Sequence, residues 1–225
     1  MKKYFLFPFF FVGLLLMVGL SSCEEKDISD DRKTTKKNVS GIENGYEYVD
    51  LGLPSGLKWA TCNVGSSSPE DLGDYFAWGE TSPKFVYDLN TYFDSEGELS
   101  CIKYNLGSGK TILAPEDDAA TVNMGGKWRM PTKEEWQELI DECTWEWSIQ
   151  GRKGTGPNGQ FILLPQAGVY QGSNKKGVGT YGCYWTRNFF SSDINRATYY
   201  IFWDGEKPNL DCKRYDGLSV RGVFK

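Results

Sequence analysis

Apolar residues between Thr132 and Cys143 recur at Trp136, Leu139, Ile140 and Cys143, the i, i+3, i+4, i+7 spacing of one helix face. Lys133, Glu134, Gln137, Glu138 and Asp141 fall mostly on the other side. Thr132 and Glu135 stand at capping-box spacing, and Pro131 cannot sit inside a helix, so the start is pinned from both sides. A second helix is expected over Pro115–Met124: proline at the first position, Glu116, Asp117 and Asp118 in the first turn, Gly125 as the stop. Shorter apolar runs predict strands at Tyr46–Leu51, Leu57–Cys62, Asp74–Trp78, Phe161–Leu164, Ala167–Tyr170, Cys183–Thr186, Ala197–Trp203, Leu210–Arg214 and Leu218–Phe224. Leu53-Pro54-Ser55-Gly56 is the turn between the first two. Both faces of Thr198–Trp203 are apolar or aromatic, which predicts a central strand. Gly151–Gln160 and Gln171–Thr180 read as glycine-rich loops, and Thr81–Ala114 as a long irregular insertion. Two helices among antiparallel strands and long loops make the class α+β, with no internal repeat.

The N-terminus has a different pattern. Lys2-Lys3, the apolar run Tyr4–Leu20 and the lipobox-like Leu20-Ser21-Ser22-Cys23 predict a lipoprotein signal peptide over residues 1–22, cleaved before a lipidated Cys23. The alternative is a membrane-spanning anchor. The run of 17 residues is at the short limit for a span and contains Pro8, while a small-small-Cys ending serves lipid attachment. Residues 23–45 are highly charged with little to bury, which predicts a flexible tether ahead of one domain over 46–225. The expected partner is thus a membrane, held through the lipid on Cys23.

Composition removes several functions. The 225 residues contain no histidine, which excludes histidine triads, histidine general bases and His-containing zinc sites together. The net charge of −5 grows more negative once Lys2 and Lys3 leave, and no basic stripe for nucleic acid is offered. Beyond Cys23, Cys62, Cys101, Cys143, Cys183 and Cys212 form no C-x-x-C pair, and their odd number leaves at least one thiol unpaired. Cys62 with Cys143 and Cys183 with Cys212 are expected neighbours, with Cys101 left in a loop. The alternative is that several are small buried apolar residues.

Trp128-Arg129-Met130-Pro131-Thr132-x-x-Glu135-Trp136 resembles the signature of the Fibrobacter succinogenes major paralogous domain, found in lipoproteins of the Bacteroidetes. It is also similar to the R-L-P-T-x-x-E-W-E segment of the formylglycine-generating enzyme superfamily. Further agreement lies in Tyr48–Leu53 with Lys58–Gly65, in Gly73–Thr81, in Pro115–Ala120 and in Ser219–Val223. The resemblance implies a C-type lectin-like fold (the formylglycine-generating-enzyme variant) and structural roles for Trp128, Arg129, Pro131, Thr132, Glu135, Trp136 and Arg221. Glu24-Glu25 after Cys23 resembles the signal that sends such lipoproteins to the outer face of the outer membrane.

Sites suggested by short motifs fail on inspection. Gly107-Ser108-Gly109-Lys110-Thr111 lacks the leading glycine of a P-loop, Tyr104 standing in its place. Glu116-Asp117-Asp118 has neither the alternation nor the glycine turn of a calcium loop. Lys207-Pro208-Asn209 puts a lysine where a calcium-dependent lectin needs a carboxylate, and nothing resembles the copper-binding cysteine pair of the formylglycine-generating enzymes. No cofactor or metal is therefore expected. Trp78 and Trp185 border polar or glycine-rich segments, and with Asp74, Glu80, Arg187 and Asn188 nearby they are the expected ligand-binding residues for a glycan, peptide or protein. Loops 81–114, 150–160, 171–180 and 187–196 would present it. Two other functions stand beside this one: a structural component of an envelope or fimbria-like assembly, and an oxidase of the formylglycine-generating type.

Overall fold

The first sheet explains how the chain closes on itself. Strand β1 (Gly41–Glu43) turns through Asn44-Gly45 into β2 (Tyr46–Asp50), which pairs with β3 (Lys58–Asn63). Asn44 and Gly45 take φ of 47° and 85°, the left-handed pair that matches a tight turn to the strand twist. Strand β13 (Arg221–Phe224) returns from far along the chain to pair with β3, giving the order β1-β2-β3-β13, antiparallel throughout. The computed structural model describes residues 38–93, 103–190, 192–205 and 208–225. The signal segment with Cys23, Cys101 and Lys207 lie outside the described residues. So do residues 23–37 of the tether, 94–102 of the insertion, and residues 191 and 206.

A second sheet runs β11-β10-β12-β4, from β4 (Tyr75–Phe76), β10 (Tyr181–Phe189), β11 (Ala197–Trp203) and β12 (Leu218–Ser219). Its β10–β12 pair is parallel, with Tyr184 opposite Ser219. Three antiparallel strands, β5 (Thr144–Ser148), β6 (Gly151–Thr155) and β7 (Phe161–Pro165), form a third sheet. β8 (Val169–Gln171) and β9 (Asn174–Lys176) form a hairpin. The helices are α1 (Ala119–Met124) and α2 (Lys133–Glu142). The described residues are therefore α+β, with mostly antiparallel sheets and two α-helices.

Helix α2 begins where its sequence says it should. Thr132 Oγ1 accepts from Glu135 N at 3.2 Å, and Glu135 Oε2 accepts from Thr132 N at 2.8 Å. Arg129 adds two further donors to the same carboxylate. Trp136 and Leu139 are buried on its inner face. Trp136 stacks on Tyr200 at 4.9 Å and meets Trp59 edge-on at 4.8 Å.

Several expectations need correction. Residues 41–43 of the supposed tether are strand β1, and Trp128 Nε1 donates to Glu43 O at 2.9 Å, so the ordered chain begins before Tyr46. The helix expected over Pro115–Met124 is split. Pro115–Asp117 is a 3₁₀ turn, Asp118 is extended, and its carboxylate caps α1 through Thr121 N at 3.0 Å. Asp118 also accepts from Met130 N, and Asp117 from Tyr104 Oη and Lys103. These buried acids are thus tied by specific donors rather than by a helix dipole. Gly151–Gln160 and Gln171–Thr180 contain strands β6 and β9, because ladder partners and not local propensity decide them. Leu210–Arg214 forms no strand. Strand β11 is an edge strand although both its faces are apolar. Tyr200 packs under α2, while Tyr199, Ile201 and Trp203 pack on the opposite core.

The interior holds three clusters. Trp78, Trp128, Trp185 and Met124 belong to one, Trp59, Trp136, Leu139 and Val223 to another, and Tyr75, Tyr87, Tyr92 and Ala167 to a third. Arg221, wholly buried, donates to Asn63 Oδ1 at 2.9 Å and to the carbonyls of Ala60, Thr61 and Leu163. It thereby ties β13 to β3 and β7.

Candidate functional site

The expected ring of ligand residues does not form. Trp78 and Trp185 are completely buried, Trp78 Nε1 donating to Thr186 O at 2.8 Å and Trp185 Nε1 to Phe76 O at 2.7 Å. Tyr104 packs edge-on against Trp78, and the Arg214 guanidinium lies 4.7 Å from its ring. Neither indole offers a face to a ligand. Burying each against a distant carbonyl satisfies its one donor, the usual requirement for a core tryptophan. Arg187 and Asn188 sit elsewhere, beside the start of α2. Arg187 donates to Leu113 O and lies 4.0 Å from Asp118, and Asn188 Oδ1 accepts from Lys133 N at 2.9 Å. Both hold neighbouring segments in place. Burial pushes the Asp118 carboxyl above its ordinary value, against the Thr121 and Met130 N–H groups and Arg187.

Asp74 lines a cavity, and Glu80 is joined to it through Lys84. That cavity, of about 390 Å³, is lined by Gly73, Asp74, Tyr75, Pro83, Lys84, Phe85, Tyr87, Tyr170 and Lys175. Asp74 precedes β4, and its carboxylate rests against Gly65, where a Cβ would fall 2.2 Å from Asp74 Oδ2. Gly65, at φ 81°, thus leaves the room this carboxylate occupies. Among the described residues nothing donates to the Asp74 carboxylate. Glu80 sits behind the wall. It accepts from Lys84 Nζ at 2.7 Å and from Phe93 N at 2.9 Å, and burial raises its carboxyl in spite of those donors. It fixes the loop and is not among the residues that line the cavity.

That loop is rigidly built. Tyr87 exchanges backbone hydrogen bonds with Gly172, receives Lys84 N on its hydroxyl and donates that hydroxyl to Tyr75 O. Burial pushes the Tyr87 phenol up to about 12, so it stays a donor. Tyr92 Oη donates to Trp78 O at 2.6 Å, and Lys84 Nζ donates to Thr91 O at 2.7 Å. Phe85, between these anchors, is 91% exposed at the cavity rim. Across from it, Lys175 of β9 holds its Nζ 4.8 Å from the Tyr75 ring and 5.9 Å from the Tyr170 ring. Tyr170, Lys175 and Phe85 went unnoticed in the sequence. The lone signal for them was an aromatic residue in each of two segments, Phe85 in one read as an irregular insertion and Tyr170 at the end of one read as extended.

The remaining chemistry candidates are quiet. Cys183 and Cys212 meet in the core as free thiols, each at most 1% exposed. Burial, with the Cys212 contact adding to it, raises the Cys183 thiol well above its ordinary value. Both thiols are sealed from solvent, which closes a route from them to a substrate. Cys62 does not meet Cys143. Trp59 packs in the cluster that contains Cys143, and Cys62, three residues further along β3, points to the opposite face. Compared with protein-family models, with curated proteins and with solved structures, the chain matches none.

Proposed function

We propose that the protein is a lipid-anchored, surface-exposed binding module of the outer membrane, a lectin-like scaffold that presents the Asp74–Lys175 cleft to a glycan or peptide. The lipobox pattern ending at Cys23 and the resemblance around Trp128–Trp136 support the anchoring and the scaffold. The observation that carries the reading is the cleft itself: a free carboxylate, tyrosine rings and an exposed phenylalanine held on a fixed loop around one concavity of ligand-binding size. Labelled palmitate should enter the full chain and be lost in Cys23→Ala. A soluble chain from Asn38 should capture a ligand from glycan and peptide arrays, and Asp74→Asn should weaken that capture at least tenfold, since a charge-assisted hydrogen bond disappears. Capture indifferent to Asp74→Asn and to Tyr170→Ala, or turnover of a substrate with no capture, overturns the reading.

A further inference from the structure

We infer that the cleft is built for an anionic saccharide, a pyranose bearing a carboxylate; this rests on the binding-module reading and names its ligand class. Three features select that chemistry. First, the charges of the cleft are arranged for a ligand and not for each other. Lys84 is neutralised by Glu80, whereas Asp74 and Lys175, which line the same cavity, form no ion pair among the described residues. Second, Lys175 is steered inward by the rings of Tyr75 and Tyr170, which attract its ammonium from below and leave its outer donors free for an anion. Lys176 beside it is occupied, donating to Gln171 Oε1 at 3.0 Å. Third, Phe85 offers a flat apolar face, 91% exposed, on a loop whose anchors prevent it from folding inward.

A pyranose meets all three. Its hydroxyls donate to Asp74, its apolar face lies on Phe85, and its carboxylate reaches Lys175. A cationic peptide would satisfy Asp74 and be repelled by Lys175, and a neutral sugar would leave the lysine unused.

The test titrates the soluble chain from Asn38 with a β-glucuronate disaccharide and with its carboxyl-reduced glucose counterpart, followed by calorimetry and by amide chemical shifts. The wild type should prefer the acidic sugar by roughly three- to tenfold, a preference that shrinks as salt is raised. Lys175→Met should abolish the preference without weakening the neutral sugar, and Lys175→Arg should restore it. Phe85→Ala should weaken both sugars alike. Lys175 and Phe85 are exposed, so neither variant threatens folding. Equal affinity for the two sugars, or a preference that survives Lys175→Met, overturns the inference. So does binding of a peptide that shifts the cleft amides while both sugars fail, although the binding-module reading then stands. Failure of every probe to move the amides of Asp74, Tyr170 and Lys175 overturns both.

Discussion

Buried tryptophans here come in two kinds, and the difference is measurable. Trp78, Trp128 and Trp185 each donate the indole N–H to a carbonyl, whereas those of Trp59 and Trp136 have no hydrogen-bond acceptor among the described residues. Replacing Trp185 by phenylalanine strands the Phe76 carbonyl in the core, while Trp59→Phe removes a donor that had already lost its water. Chemical denaturation should therefore find Trp185→Phe costlier than Trp59→Phe by about 1–2 kcal/mol, the penalty for an orphaned buried acceptor. The acceptors of Trp78 and Trp185 stand 108 and 109 residues away in sequence. Separation on that scale is why both rings read as ligand platforms from their glycine-rich and polar flanks. Asp74, a carboxylate beside an aromatic run, could be singled out in sequence, and it lines the cleft. The room Gly65 leaves for it could not, since that depends on backbone twist and on approach from a second segment.

Secondary elements follow the same division between local and distant causes. Helix α2 is specified within its own residues, and its cap gives a pH dependence. Burial alone would raise Glu135, but Arg129 and the Thr132 N–H overcome it and hold the carboxyl below its ordinary 4.5. A depressed acid stabilises above its unfolded pKa and loses that contribution as pH falls through the folded one. Wild type should thus exceed Glu135→Gln by about 1–2 kcal/mol near neutrality, and thermal melts should show the gap closing as the pH drops below the glutamate range. Strand β1 shows the opposite case. Its Asn44-Gly45 turn is a strong hairpin signal, hidden by the charged stretch preceding it, and Asn44 Nδ2 also donates to Met124 O at 2.5 Å. A chain begun at Tyr46 should unfold at lower urea than one begun at Asn38, because it leaves Trp128 Nε1 without its Glu43 carbonyl. Gly45→Ala in the longer chain should cost about 1 kcal/mol, from the positive φ alone. Strand β6, with two glycines and two cations in five residues, has no strand signature. It exists because Trp145 packs over Gly154 and Arg152 lies 4.7 Å from that same ring.

Taken as one molecule, the fold is held by contacts that no short window contains. The cleft draws Asp74, Phe85 and Lys175 from three separate segments, so Phe85 and Lys175 gave no sign in sequence of belonging with Asp74. Arg221 was legible as a buried structural residue, although its partners are carbonyls and Asn63 rather than a carboxylate. Arg221→Met leaves those four acceptors facing an apolar chain, and Arg221→Lys cannot reproduce the planar fork. Loss of about 3–5 kcal/mol is expected for the methionine variant, with lysine in between, as a fall in midpoint at constant denaturant slope. The seating of β13 against β3, across more than 150 residues, also governs the order of assembly. A nascent chain delivered from its amino end must keep the β2–β3 hairpin waiting, one edge bare, until Arg221–Phe224 arrive. Such long-range closure is slow, and the waiting edge invites other strands, so acquisition of the native state should fall to whatever chaperones attend the unfinished polypeptide.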